Sequence, residues 1–183
     1  MMKEMIAVLC SAVATAALAR TELPDYPAYD LRPGLSYACR IRFDRTEGAR
    51  GGWATVVQKG SPSMPGSYWL RASRGPEAPS IDFFVNLGHV PEPRVHSGVK
   101  PVAGRWYDLA AGWDGSNAWL SVDGQVTRTQ RTGQAEPPAA SPVVGDLEGE
   151  VADVWFGAGR AGDRDARRPR RRHRLLARAL QRH

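Results

Sequence analysis

"WYDLAAGWDGSNAWLSVDGQV", Trp106 to Val126, is the stretch that decides the fold. It packs three Trp and three Asp into one short run. Carboxylates beside aromatic rings are what a sugar-cleaving site contains. They are also what two strands and two tight turns contain. The apolar period favours the strands. In 105–113, Tyr107, Leu109, Ala111 and Trp113 fall on one face, and Trp106 and Asp108 on the other. "DGSN" (114–117) has strong turn chemistry. Ala118, Leu120 and Val122 then point inward, leaving Trp119 and Ser121 opposite, and Asp123-Gly124 is a hairpin signal. Asp114 and Asp123 are thus expected to accept backbone N–H bonds in turns, and Asp108 to lie at the surface.

The same period of two extends outward in both directions. "SYACRIRFD" (36–44), "WATVVQKG" (53–60), "SYWLRAS" (67–73) and "IDFFVNLG" (81–88) each read as a strand bounded by Gly- and Pro-rich loops. A short strand is expected at Val95–Val99, and the last one or two within 142–157. About eight strands and no helix in the body predict an all-β chain, a two-sheet antiparallel jelly-roll sandwich. In "SYACRIRF", Cys39 shares a face with Tyr37, Ile41 and Phe43, so it is expected to be a buried core thiol.

Charge is divided unevenly. The net charge of the 183 residues is +6. Residues 1–156 nevertheless hold 15 Lys and Arg against 17 Asp and Glu, a net −2, while 157–183 hold 10 Arg against 2 Asp, a net +8. The body therefore lacks the basic stripe of a nucleic-acid binder, and no nucleic-acid partner is expected for it. The tail, "GAGRAGDRDARRPRRRHRLLARALQRH", has no Lys. Three readings of it stand side by side: a disordered basic arm for polyanions or an anionic membrane surface, a short amphipathic helix at "RLLARAL", or the product of a shifted reading frame. At the other end, "IAVLCSAVATAALA" (6–19) is apolar but too short to span a bilayer, and Ala17-Leu18-Ala19 fits a small-x-small cleavage pattern. The chain thus divides into a signal peptide over 1–19, a domain over 20–156 and an Arg-rich tail over 157–183. It is expected to be secreted or extracytoplasmic.

The segment "GRWYDLAAGWDGSNAWLSVDGQV" resembles the most recognisable part of laminin G-like, or concanavalin A-like lectin/glucanase, domains. "GWATVVQKG", "GSYWLRAS" and "IDFFVN" are similar to the strands preceding it in that family, and "GEVADVWF" to its closing strand. "ELPDYPAYDLRPGLSYACRIRF" is similar to the approach to its first long strand. The resemblance spans roughly residues 21 to 156. It implies a jelly roll that binds carbohydrate or an extracellular protein and is usually noncatalytic. Asp108 stands where the family usually has His. The family's first strand is displaced by the signal-like segment, so one sheet edge is expected to be unpaired or closed by residues 14–22. The resemblance also implies a possible Ca2+ at the sandwich rim, held by Asp carboxylates and backbone carbonyls. Its first acidic ligand usually precedes the "YWLR" strand. Here "PGSY" (65–68) carries no acid, so no metal ligand is assigned.

The candidate ligand-binding residues are Trp53, Trp69, Arg71, Asn86, His89 and Trp119. Sugar stacking needs exposed aromatics flanked by polar groups, and alternation puts Trp69 with Arg71, and Trp119 with Ser121, opposite the core set. Trp53 starts its strand and faces either way. Asn86 and His89 sit at a strand end, where a rim site would hold ligand. The alternative is a glycoside hydrolase or lyase acting through Glu148 and Glu150 with Asp153, since "EGEVAD" has the spacing, with permuted types, of the superfamily's catalytic strand motif. Retaining chemistry needs two carboxyls ~5–5.5 Å apart. Glu148 and Glu150 would share a strand face ~7 Å apart at the backbone. Asp153 would point away unless a bulge intervened.

Overall fold

A computed structural model describes residues 9–10, 20–45, 53–73, 80–88, 94–133, 136, 138–145 and 147–158. Among the described residues twelve strands run in chain order: β1 (Leu9–Cys10), β2 (Thr21–Glu22), β3 (Leu35–Phe43), β4 (Trp53–Lys59), β5 (Tyr68–Ser73), β6 (Ser80–Val85), β7 (Arg94–His96), β8 (Trp106–Trp113), β9 (Asn117–Val122), β10 (Gln125–Gln130), β11 (Pro142–Val144) and β12 (Gly149–Ala158). A 3-10 turn at Pro27–Tyr29 precedes β3. The strands form two six-stranded sheets, β1-β12-β3-β8-β9-β10 and β2-β11-β4-β5-β6-β7, hereafter the first and second sheets. Every pairing within them is antiparallel. The chain is thus a two-sheet jelly-roll sandwich.

The inner faces supply the core as alternation dictates. Tyr37, Cys39, Ile41 and Phe43 of β3, and Tyr107, Leu109, Ala111 and Trp113 of β8, meet Tyr68, Leu70, Ile81, Phe83 and Val85 of the second sheet. Each such side chain stabilises the fold by about 1.5–3 kcal/mol when fully buried. Cys39 is a buried free thiol, and burial, with a smaller contribution from the Asp108 charge, pushes its pKa to about 12. It is an inert core residue.

β8 and β9 meet in the order read from the sequence. Gly115, at φ +98°, occupies the turn between them. The β9–β10 hairpin turns on Asp123 and Gly124 at φ +49° and +86°, the conformation of a type I′ turn. β10 extends well beyond Val126. Its sequence, "QVTRTQ", is polar because it is an edge strand exposed on alternate positions, so hydrophobic period gave no sign of its length. One edge of each sheet is formed by a short strand ahead of the 3-10 turn. Leu9–Cys10 pairs with Val154–Trp155 of β12, and Thr21–Glu22 with β11. The expectation was one edge unpaired or closed by residues 14–22; Thr21–Glu22 falls within that range and Leu9–Cys10 outside it. The tail beyond Ala158 lies outside the described residues.

One buried charge ties the sheets together. Lys59 ends β4 with its side chain 0% exposed, its Nζ donating to Asp25 Oδ1 at 2.6 Å and Asp30 Oδ1 at 2.7 Å. Both acids belong to the segment leading from β2 in one sheet to β3 in the other. Tyr29, between them in sequence, packs its ring 4.6 Å from that of Phe156 in the first sheet and accepts a 2.9 Å bond at its carbonyl from the Tyr68 hydroxyl of the second. Removing one member of a buried ion pair leaves the other charge uncompensated, at a cost of about 3–5 kcal/mol. Lys59→Met is therefore expected to lower stability by about 3 kcal/mol or more, seen as a lower midpoint in urea unfolding.

Candidate functional site

Alternation along β5, β6 and β7 builds two cross-strand rows on the outer face of the second sheet. One row is Gln58, Trp69, Phe84 and Arg94; the next is Thr55, Arg71, Asp82 and His96. Trp69 and Arg71 are two residues apart on β5, so the strand pleat puts both on this face. The Arg71 guanidinium lies 5.5 Å from the centre of the Trp69 ring, a cation–π distance. Trp69 is half-buried; its Nε1 donates to the Gly60 carbonyl at 3.2 Å and its ring tilts against Phe84. Phe84 is buried but stands outside the inter-sheet core. Asp82 is 1% exposed, and its Oδ1 lies 2.9 Å from Nδ1 of His96, whose side chain is 62% exposed. Asp82 Oδ2 is buried with no hydrogen-bond partner.

The remaining candidates scatter. Trp119 lies on the outer face of the first sheet, away from Trp69, and is 3% exposed. Its indole lies over Gly112, the cross-strand partner, where an added Cβ would meet Cζ2 at 2.8 Å. Its Nε1 is buried without a partner. Asn86 is buried and engaged in holding the β4–β5 connection: Nδ2 donates to the Pro62 carbonyl at 2.6 Å, and Oδ1 accepts from Gly88 N at 2.8 Å. Trp53 begins β4, as expected, but its side chain lies outside what is described, as does the whole of His89. Asp82 and His96 were not among the candidates. They lie 14 residues apart, and only the β6–β7 register pairs them.

The acids of the hydrolase alternative are each engaged with an arginine. A bulge in β12 between Ala152 and Trp155, with Asp153 at φ +51°, brings Asp153 to Arg40 at 4.0 Å. Glu150 accepts from Arg42 at 2.5 Å, and Glu148 lies 3.8 Å from Arg45. Arg40 also pairs with Asp108 at 3.1 Å, and both Arg40 and Arg42 lie over the Trp106 ring. The first sheet's outer face thus carries a ladder of compensated charge. No three His, Cys, Asp or Glu among the described residues group as metal ligands. Where the two carboxylates of Asp25 and Asp30 converge, the Lys59 ammonium stands between them. These residues do not fit a calcium ion.

The other Asp residues of the opening run are turn formers. Asp123 Oδ1 accepts from Asp108 N at 2.9 Å and Oδ2 from Arg105 at 2.8 Å. Asp114 Oδ1 accepts from the backbone N–H of Ser116 and Asn117 at 2.8 and 2.7 Å.

No family model matches the sequence, and no curated protein matches it. Solved structures do share its fold. Domain 4 of AbnA, a GH43 extracellular arabinanase from Geobacillus stearothermophilus solved with arabinotriose, is 14% identical at TM-score 0.55, over 86% of this chain and 77% of that one. Mouse laminin alpha1 chain domains LG4-5 are 15% identical at TM-score 0.52, over 81% of this chain. The binding domain of botulinum neurotoxin DC, in complex with SialylT, is 9% identical at TM-score 0.57, over 87% of this chain. The chain spans only 38% of the laminin fragment and 44% of the toxin domain. Together they place the chain among the concanavalin A-like jelly rolls in fold.

The Asp114 turn has a pH signature. Partial burial raises its pKa, but bonds from the Asn117 and Ser116 backbone, the Asn117 side chain and the Arg128 charge outweigh it, leaving a net lowering. A carboxylate whose folded pKa lies below its unfolded value of about 3.9 stabilises above that pH and loses the contribution as pH falls through the folded pKa. Asp114→Ala is expected to cost up to about 1 kcal/mol at pH 7, a modest figure because the group is largely solvated. The deficit should shrink below about pH 4, as read from urea midpoints of both proteins across pH.

Proposed function

We propose that this chain is an exported, noncatalytic module that binds carbohydrate on the outer face of its second sheet. The observation that carries this is the grouping there of a half-buried Trp69 and an exposed His96, backed by the buried Arg71 and Asp82: an aromatic ring and a fixed polar group on a rigid sheet. A sugar offers an apolar ring face to stack on an indole and hydroxyls to hydrogen-bond around it. Solved neighbours support the reading: arabinotriose binds the AbnA domain, and SialylT the toxin domain, on the same fold. An extracellular protein is the other partner class this face suits. Export rests on the apolar segment ahead of Arg20 with its small-x-small end, whose removal would take the two-residue strand β1 with it.

The ion pairs on the first sheet support the noncatalytic reading. A general acid or nucleophile must be free to exchange protons or attack, whereas Glu148, Glu150 and Asp153 each face an arginine. Glu150→Gln is accordingly expected to leave sugar binding unchanged.

Titration of the purified chain with neutral and sialylated oligosaccharides tests the reading. Trp69→Ala is expected to weaken whichever glycan binds by about tenfold, if stacking of a sugar face on the indole is comparable to the roughly 1–3 kcal/mol of a base on an aromatic ring. A folded sample that binds none of a broad glycan set would exclude the carbohydrate version.

A further inference from the structure

His96, the one histidine among the described residues, is held by a buried acid. It lies at the end of β7, with 62% of its side chain exposed, while the Asp82 carboxylate beneath it is 1% exposed and 2.9 Å from Nδ1. An ionised carboxylate can only accept, so Nδ1 must carry the proton. In a neutral imidazole Nε2 is then a bare acceptor, on a largely solvent-exposed ring. The second carboxylate oxygen, Asp82 Oδ2, is also an acceptor without a partner, buried just below. Nε2 is the acceptor a ligand can reach, since Asp82 Oδ2 has no exposed surface, and an acceptor calls for a ligand that donates. A carboxylate on a ligand would meet that acceptor, while the neighbouring Arg71 is 6% exposed with its guanidinium over the Trp69 ring.

Trp69 lies on β5, two strands from His96 in the same sheet. That is a lateral separation of about 9.6 Å, and His96 also lies one row further along the strands, so the two are roughly 12 Å apart at the backbone, a span that a short oligosaccharide covers. We propose that His96 is a ligand-contacting residue of this face, oriented by Asp82 to accept a hydrogen bond from a hydroxyl, and that the ligand is a neutral sugar rather than a sialylated one. The inference rests on the carbohydrate reading above and adds the contact and the ligand class. Asp82 acts through His96 and is a positioning residue. Arg71, the cross-strand neighbour of Asp82, borders the same site.

The test uses the full chain in mildly alkaline buffer, with arabinotriose, lactose and 3′-sialyllactose as probes. Nitrogen-15 labelling of histidine reads the His96 tautomer directly. The expected result has Nδ1 protonated, Nε2 shifting when a neutral sugar is added, and affinity for the neutral probes at least several-fold above that for sialyllactose. His96→Leu is expected to weaken neutral-sugar binding about tenfold, and His96→Gln, which keeps an acceptor, less so. Asp82→Asn should change the tautomer signal. If it fails to fold, the wild-type tautomer still decides the point. Neutral-sugar binding that Trp69→Ala weakens but His96→Leu does not would overturn the inference and leave the carbohydrate reading intact. So would preference for sialyllactose, or an Nε2-protonated His96. No binding of any probe, nor of any other glycan, would remove the carbohydrate reading itself.

Discussion

The ammonium of Lys59 is the constraint on which the sandwich closes. A jelly roll of this size has two sheets whose inner faces attract each other without direction, and apolar packing alone does not fix how the chain passes from one to the other. Here the crossing segment carries Asp25 and Asp30, and both reach the one lysine at the end of β4. Tyr29 sits between these acids in sequence and contacts both sheets, by its ring to Phe156 and by its carbonyl to Tyr68. A charge taken fully out of water must be compensated, so Lys59 tolerates few other arrangements of this segment. The strength of the clamp lies as much in specifying the crossing as in stabilising it.

Much of the sandwich was legible because its strands are half-buried. Period two assigned Tyr107, Leu109, Ala111 and Trp113 inward and Trp106 and Asp108 outward, and the structure has them so. The turn chemistry of Asp114 and Asp123 was equally plain, since Asp before Gly has a local mechanism. Local rules failed where the decisive partner is distant in sequence. Lys59 reads as the polar end of a strand, yet it is fully buried because acids 34 and 29 residues earlier come to it. The second half of β10 carries no apolar period because an edge strand need not bury alternate residues.

The site was legible in part for the same reason. Trp69 and Arg71 lie on one strand, so alternation alone brings them together. Trp119 also lies opposite its core set, but it belongs to the other sheet, and its ring is turned down onto Gly112. Outward alternation gives a face, not exposure: a large side chain beside a glycine can lie flat and be covered. Asp82 and His96 needed the β6–β7 register before they became a pair.

The two outer faces differ in how their polar groups are matched, and the proposed site follows that difference. On the first sheet, Arg40 and Arg42 sit between Asp108, Asp153, Asp44 and Glu150, with Trp106 beneath them. Opposite charges already in contact offer a ligand little, because its hydrogen bonds must replace ones already made. On the second sheet the acid is buried, one of its oxygens is unmatched, and the imidazole it holds turns outward. Among the described residues of the two outer faces, only the second sheet's presents an exposed histidine fixed by a buried acid, with the acceptor of its ring left for a ligand's hydroxyl.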